Sequence, residues 1–307
     1  MRSGHRAFPP GRGFVAVPTS TRSAARAGIA LYAPCRPMAI WAQRATWHLV
    51  GILGARAVPG RATTGVPPIP EAVWTGLAEE WAAIVGGFDT IAAYRPRQRF
   101  RSGHGILLIR DGAPQAFVKV RTGATGDLAA EERALARVST AGVSAFRCPR
   151  PLRLGRYDEW DYLAMSALPP AIGRVPSDPP LGDLTAEISN ALGDLPGGEA
   201  VPGHWRPMHG DFTPWNLRAS GGGQLTLVDW EDAGWGPPRA DEVLYRAVSG
   251  ALTRRPVIGL GGAAEAVGFW AERVGNRLGA GGEEADHEFG ERLLEVLRGA
   301  TRDRSDA

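Results

Sequence analysis

The segment Met208-His209-Gly210-Asp211-Phe212-Thr213-Pro214-Trp215-Asn216 constrains this chain more than any other. Gly210 and Pro214 keep it from being a helix, so Asp211 and Asn216, five positions apart, project from a loop. A short apolar piece follows, then Ser220-Gly221-Gly222-Gly223, then Leu225-Thr226-Leu227-Val228 running into Asp229-Trp230-Glu231. The pattern predicts a loop, a strand, a Gly-rich turn and a second strand with Asp229 at its end. Folding that hairpin back brings Asp229 towards Asp211 and Asn216. Two carboxylates and a carboxamide then converge, a set of oxygen donors suited to Mg²⁺ with one carboxylate left as a base. Asp and Asn are also favoured in plain polar turns, so these residue types alone do not fix the chemistry.

The 307 residues are enough for two lobes with separate cores, and 44% hydrophobic with 22% charged residues is ordinary for a globular chain. The net charge of +3 conceals an asymmetry. Nine arginines and no acid stand before Glu71; without those nine, 26 basic residues face 32 acids, a balance of −6. A basic chain suggests nucleic acid or an anionic membrane, but here the excess belongs to the leader. The mildly acidic body predicts neither partner. No apolar run reaches transmembrane length. Cys35 and Cys148 form neither a metal spacing nor a disulfide framework, which predicts a reducing, cytoplasmic setting. Residues 1–69 show no sustained period. They read as a disordered tail, an Arg-rich targeting segment or translation from a start set too far upstream, with the last favoured.

From Pro70 the texture changes. Val73, Leu77, Trp81 and Ile84 give one helix an apolar face, closed by Gly86-Gly87. Residues 91–120 read as strands, with Asp111-Gly112 turning Ile106–Arg110 back into Ala116–Val120. Gly103 and Gly105 around His104 would let backbone N–H groups approach phosphates, with Ser102 adding a hydroxyl; His104 itself reads as an exposed turn residue.

Of the 35 basic residues only Lys119 is a lysine. In so Arg-rich a chain, a retained lysine either marks a place that needs a compact ammonium or has survived by chance. It sits in an otherwise apolar strand, where an unpaired charge is expensive. The following helix, starting at Gly126-Asp127, puts Leu128, Leu135 and Val138 on one face. Glu131, twelve residues after Lys119, lies on that same face, so the two groups answer one another's desolvation.

The pattern H-G-D-x4-N followed by a hydrophobic strand ending in D-W-E resembles the core of the aminoglycoside phosphotransferase and choline kinase-like family. These are small-molecule kinases of the protein-kinase-like fold. Gly236-Pro237-Pro238-Arg239-Ala240-Asp241 also fits that family's G-x-P-x-x-D segment, whose aspartate is usually structural. Related signatures in protein kinases have Arg and Phe-Gly where this chain has Gly210 and Trp230-Glu231, which points away from protein substrates. The resemblance covers roughly residues 90–300 and is most specific over 208–241.

The resemblance implies an α+β bilobal fold, with an antiparallel sheet plus helix in a small N-terminal lobe (70–165) and a mainly helical C-terminal lobe (166–307). It implies ATP and Mg²⁺ as cofactors and a small-molecule hydroxyl as acceptor. Asp211 matches the catalytic aspartate; Asn216 and Asp229 match the metal ligands. Lys119 matches the lysine on the α- and β-phosphates, Glu131 its partner, and Met165 the start of the adenine-binding hinge. His209 reads as structural. The stretch 171–207 is shorter than aminoglycoside kinases have between hinge and catalytic loop, which weighs against that acceptor. A nucleotide-binding module without catalysis is the alternative. A divalent-metal hydrolase using His209, Asp211 and Asp229 lacks further ligands at useful spacing.

Overall fold

The structure, a computed structural model, describes residues 4–11, 14–64, 66–67, 69–94, 103–123, 126–255, 257, 259–260, 262–279 and 284–302. In chain order the strands are β1 (His5–Phe8), β2 (Val15–Pro18), β3 (Ala62–Thr63), β4 (Thr90–Tyr94), β5 (His104–Arg110), β6 (Ala113–Thr122), β7 (Pro151–Tyr157), β8 (Trp160–Ser166), β9 (Arg206–Met208), β10 (Leu217–Ala219), β11 (Leu225–Leu227) and β12 (Gly234–Gly236). The helices are α1 (Arg22–Ala30), α2 (Pro37–Leu53), α3 (Glu71–Val85), α4 (Gly126–Ala141), α5 (Leu181–Leu192), α6 (Ala240–Thr253), α7 (Ala264–Gly279) and α8 (Glu284–Arg302). They form two units, one of residues 1–132, 148–174 and 219–224, the other of 133–147, 175–218 and 225–307.

The first unit is built on an eight-stranded sheet of order β3-β1-β2-β4-β5-β6-β8-β7, antiparallel at every pairing. Asp111 and Gly112, both at positive φ (52° and 75°), make the tight turn between β5 and β6. Alternation along β4, β5 and β6 sorts side chains onto two faces. Ile91, Ile106, Leu108, Val118 and Val120 pack with Leu77 and Trp81 of α3. Ala92, Leu107 and Ile109 pack on the other face with Ala24 and Ala27 of α1. Burial on both sides explains why Ile106-Leu107-Leu108-Ile109 is apolar without alternation. Helix α3 ends on Gly86 in the left-handed region, as its sequence predicts.

The leader departs from its sequence reading. Segments 5–8 and 15–18 are strands of the main sheet, β2 pairing with β4 through Val15–Tyr94 and Ala16–Ala93. Phe8, Val15, Val17, Ala25, Ile29, Val50 and Val58 form its buried cluster. Thr21 caps α1 by accepting the Ala24 N–H. The strands are four residues long, too short to show a period, and their partner lies some eighty residues downstream. His104 also differs, since it opens β5 opposite Val120 instead of standing in a turn.

The second unit is mainly helical. Ala240, Val243, Leu244, Ala247, Val248 and Ala251 of α6 pack with Val267, Trp270 and Val274 of α7 and Leu293 and Leu297 of α8. The Trp270 indole N–H donates to the Ala240 carbonyl at 2.7 Å, fixing α7 against the start of α6. Two small antiparallel pairs, β10–β11 and β9–β12, carry the loop of interest.

Candidate active site

In the first unit, Lys119 and Glu131 meet as their spacing predicts. Lys119 shares its face of β6 with Phe117, because Val118 and Val120 turn to α3. The ammonium Nζ lies 2.8 Å from Glu131 Oε1 and 2.7 Å from Oε2. Glu131 is 1% exposed and Lys119 17%, so the acid is buried while the ammonium keeps an opening to solvent. Arginine could pair both oxygens too, but its larger planar head would carry the charge away from the point the compact ammonium occupies. Met165 lies buried in β8, between Phe117 of β6 and Pro151 of β7. Next to it, Ser166 accepts the Arg150 N–H on its hydroxyl and donates its own N–H to the Arg150 carbonyl. Ser102 lies outside the described residues.

In the second unit, β9 leads into the loop 209–216 and β10 leaves it. Buried Asp241, at the start of α6, accepts the His209 N–H at 2.7 Å and the Gly210 N–H at 3.1 Å. Burial pushes its carboxyl up to about 6, and the two N–H donors pull the other way. Gly210 has φ +80°, and a Cβ there would fall 1.9 Å from the Asp232 carbonyl oxygen, so only glycine fits.

The buried His209 is held at both ring nitrogens. Nε2 lies 3.1 Å from the Val228 carbonyl, an acceptor, so it carries the proton; Nδ1 accepts the Asp211 N–H at 3.2 Å. This agrees with its structural reading. Buried Trp230 closes the arrangement, 4.6 Å from the His209 ring and stacked on Phe146 at 6.0 Å.

Asn216 donates Nδ2 to both the carbonyl and Oδ2 of Asp211, each at 2.9 Å. Both partners are acceptors, so the amide nitrogen must face them, and Oδ1 is the atom left to meet a cation. The Val228 N–H donates to the Asn216 carbonyl at 3.2 Å, while its own carbonyl accepts from His209. Residue 228 is thereby tied to the loop by both backbone groups, which places the next residue, Asp229, beside it. Asp229 has φ 70°, a left-handed conformation that Asp tolerates better than most residues. Glu231 follows it closely, offering a carboxylate oxygen within 4.8 Å of one from Asp229.

The structure thus joins Lys119 with Glu131 in one unit and Asp211 with Asn216 in the other, where backbone bonds from Val228 bring the residue before Asp229 to the same loop. Sequence reasoning missed the nearness of Glu231 to Asp229, although the i,i+2 spacing at a strand end was a readable signal. It named Asp241 as structural without its two N–H partners. Glu242 is engaged by Arg239 at 2.9 Å and Arg246 at 3.0 Å. Those guanidinium groups hold its carboxyl below the usual range.

Residues 198–273 match the model of the Phosphotransferase enzyme family, on the segment from which the resemblance was read. Among solved structures, the GDP complex of an aminoglycoside phosphotransferase (IIIa, F108L mutant) is similar at 15% identity and TM-score 0.48, covering 74% of this chain and 98% of that one. Spectinomycin phosphotransferase with ADP and spectinomycin aligns at 9% identity and TM-score 0.47, over 74% and 98%. A putative fructosamine-3-kinase from Haemophilus somnus aligns at 11% and 0.47, over 74% and 97%. No curated protein matches the chain.

Proposed function

We propose that this chain transfers the γ-phosphoryl group of ATP to a hydroxyl of a small molecule. The observation that supports this reading is the binding of Val228, the residue before Asp229, to Asn216 and His209 of the loop through both its backbone groups. Asp211 orients the acceptor hydroxyl and takes its proton. The acceptor oxygen bonds to the γ-phosphorus as the bond from that phosphorus to the bridging β-oxygen breaks, and ADP leaves. The donor set fits Mg²⁺: the Asn216 Oδ1 and the Asp229 carboxylate are hard oxygens on adjacent, hydrogen-bonded backbone. Held there, the ion would offset charge on the phosphate oxygens. Lys119, fixed by the buried Glu131, is the ligand proposed for the α- and β-phosphates. Ser102 and the backbone beside Met165 are proposed for the phosphates and the adenine.

Both cysteines are free, and no helix among the described residues is long and apolar enough to cross a membrane. A cytoplasmic setting is proposed on the cysteines. The test is ADP release over a panel of amino sugars, amino alcohols, sugars and nucleosides, alongside calorimetric titration with ATP·Mg²⁺. Asp211→Asn should abolish transfer and leave nucleotide affinity within about twofold, because the base acts only in the chemical step. Substantial turnover by that variant would remove Asp211 from the base role. Nucleotide binding without ADP release from any acceptor would favour a module without catalysis.

A further inference from the structure

The leader places an unpartnered apolar face on the first unit. Helix α2 packs inward through Gln43 and Val50, with Gln43 donating to the Ile29 carbonyl at 2.9 Å. Its outward side carries Met38, Trp41, Leu49, Ile52 and Leu53, which are 75%, 66%, 51%, 72% and 67% exposed. At 100° per residue these five fall within about 120° of one another, with Ala45 between them. They are most of the large apolar side chains exposed among the described residues, gathered on one helix. Single exposed hydrophobics need no explanation, but a continuous stripe does.

Charge decides between the candidate occupants. No acid precedes Glu71, and exposed arginines bracket the stripe, Arg36 before α2 and Arg56 after it. Arg44 and exposed His48 lie along its flank. A second copy meeting this face by two-fold symmetry would set Arg36, Arg44 and Arg56 of one copy towards those of the other, a like-charge contact. An anionic bilayer supplies both the apolar phase and the opposite charge. Trp41 is of the type that anchors at the headgroup level. We propose that α2 docks the protein on an anionic lipid surface, its stripe lying in the interface and its arginines against phosphate headgroups. The sequence alone predicted no membrane partner, because composition does not show which side chains of α2 face outward.

The test is cosedimentation of the full chain with phosphatidylcholine vesicles and with vesicles holding about a third phosphatidylglycerol. Binding is expected only to the anionic vesicles and should weaken as salt rises. Trp41→Asp with Ile52→Asp alters two exposed positions, so circular dichroism and melting should be unchanged while binding falls at least about tenfold. Arg36→Glu with Arg56→Glu should weaken binding and flatten its salt dependence. Absence of binding to the anionic vesicles, or binding indifferent to both pairs of substitutions, overturns the proposal. So does a dimer in sedimentation velocity that the Asp pair dissociates while lipid binding is absent, which would assign the face to a second copy.

Discussion

Asp241 holds the two residues before Asp211 in place, and Asp241→Asn tests how. The carboxyl is buried, with a pKa of about 6 against an ordinary 3.8. That difference means the folded chain binds this proton more tightly than the unfolded chain does. The stabilisation is complete below about pH 3.8 and is lost as pH rises through about 6. Its full extent is about 3 kcal/mol, from roughly two pK units at ~1.4 kcal/mol each. Asparagine keeps one acceptor oxygen for one of the two N–H groups. Its NH₂ confronts the other, at a cost of about 1.5–3 kcal/mol for a lost charge-assisted bond. At neutral pH this loss and the removed cost of burying charge nearly cancel. The discriminating quantity is therefore the pH dependence. Between about pH 5 and about pH 7.5 the wild-type protein should lose about 1 kcal/mol that the variant does not. Urea unfolding of both proteins at both pH values gives a double difference in which the other titrating groups cancel. A stability gap that stays constant with pH, or moves against the variant, refutes the account.

Lys119→Arg should lower kcat/KM by about tenfold or more, since the larger planar guanidinium, though able to pair Glu131, displaces the charge from the point the ammonium occupies; steady-state ADP release measures it. Equal turnover would show that any cation serves there. Gly210→Ala should cost about 2–4 kcal/mol and most of the activity, because its Cβ would lie 1.9 Å from the Asp232 oxygen. Thermal unfolding and soluble yield report it, and a variant as stable as the parent would contradict the described loop. Asn216→Ala should leave Asp211 without its amide donor and raise the Mg²⁺ concentration needed for half-maximal rate by about tenfold or more. A metal titration of the rate checks this.

The loop was legible because Gly210, Pro214 and the Gly-rich turn at 220–223 each dictate backbone at a fixed position, so the polar residues between them had little freedom. The pair Lys119–Glu131 was legible because helical periodicity puts an acid on a buried stripe, and burial of an acid demands a cation. Asp241 gave only its identity, since its partners are backbone N–H groups that no sequence pattern distinguishes. The pairing of β9 with β12 was invisible because three residues carry no period. The leader misled for a different reason. Its missing acids and short strands looked like the absence of a fold, while the order comes from pairing with β4 and from α1 lying on the sheet. One signal was available: Ile106–Ile109 is apolar at every position, so that strand needs a cover on each face, and α3 supplies one.

That second cover has a consequence for anyone shortening the chain. Begun at Pro70, the polypeptide would lose α1 and β2 together, uncovering Ala92, Leu107 and Ile109 and freeing the hydrogen-bonding side of Thr90–Tyr94. A greasy strand with an open border is a template for the next molecule. Trimmed versions of this protein should therefore collect as insoluble stacks, however well their second unit is formed.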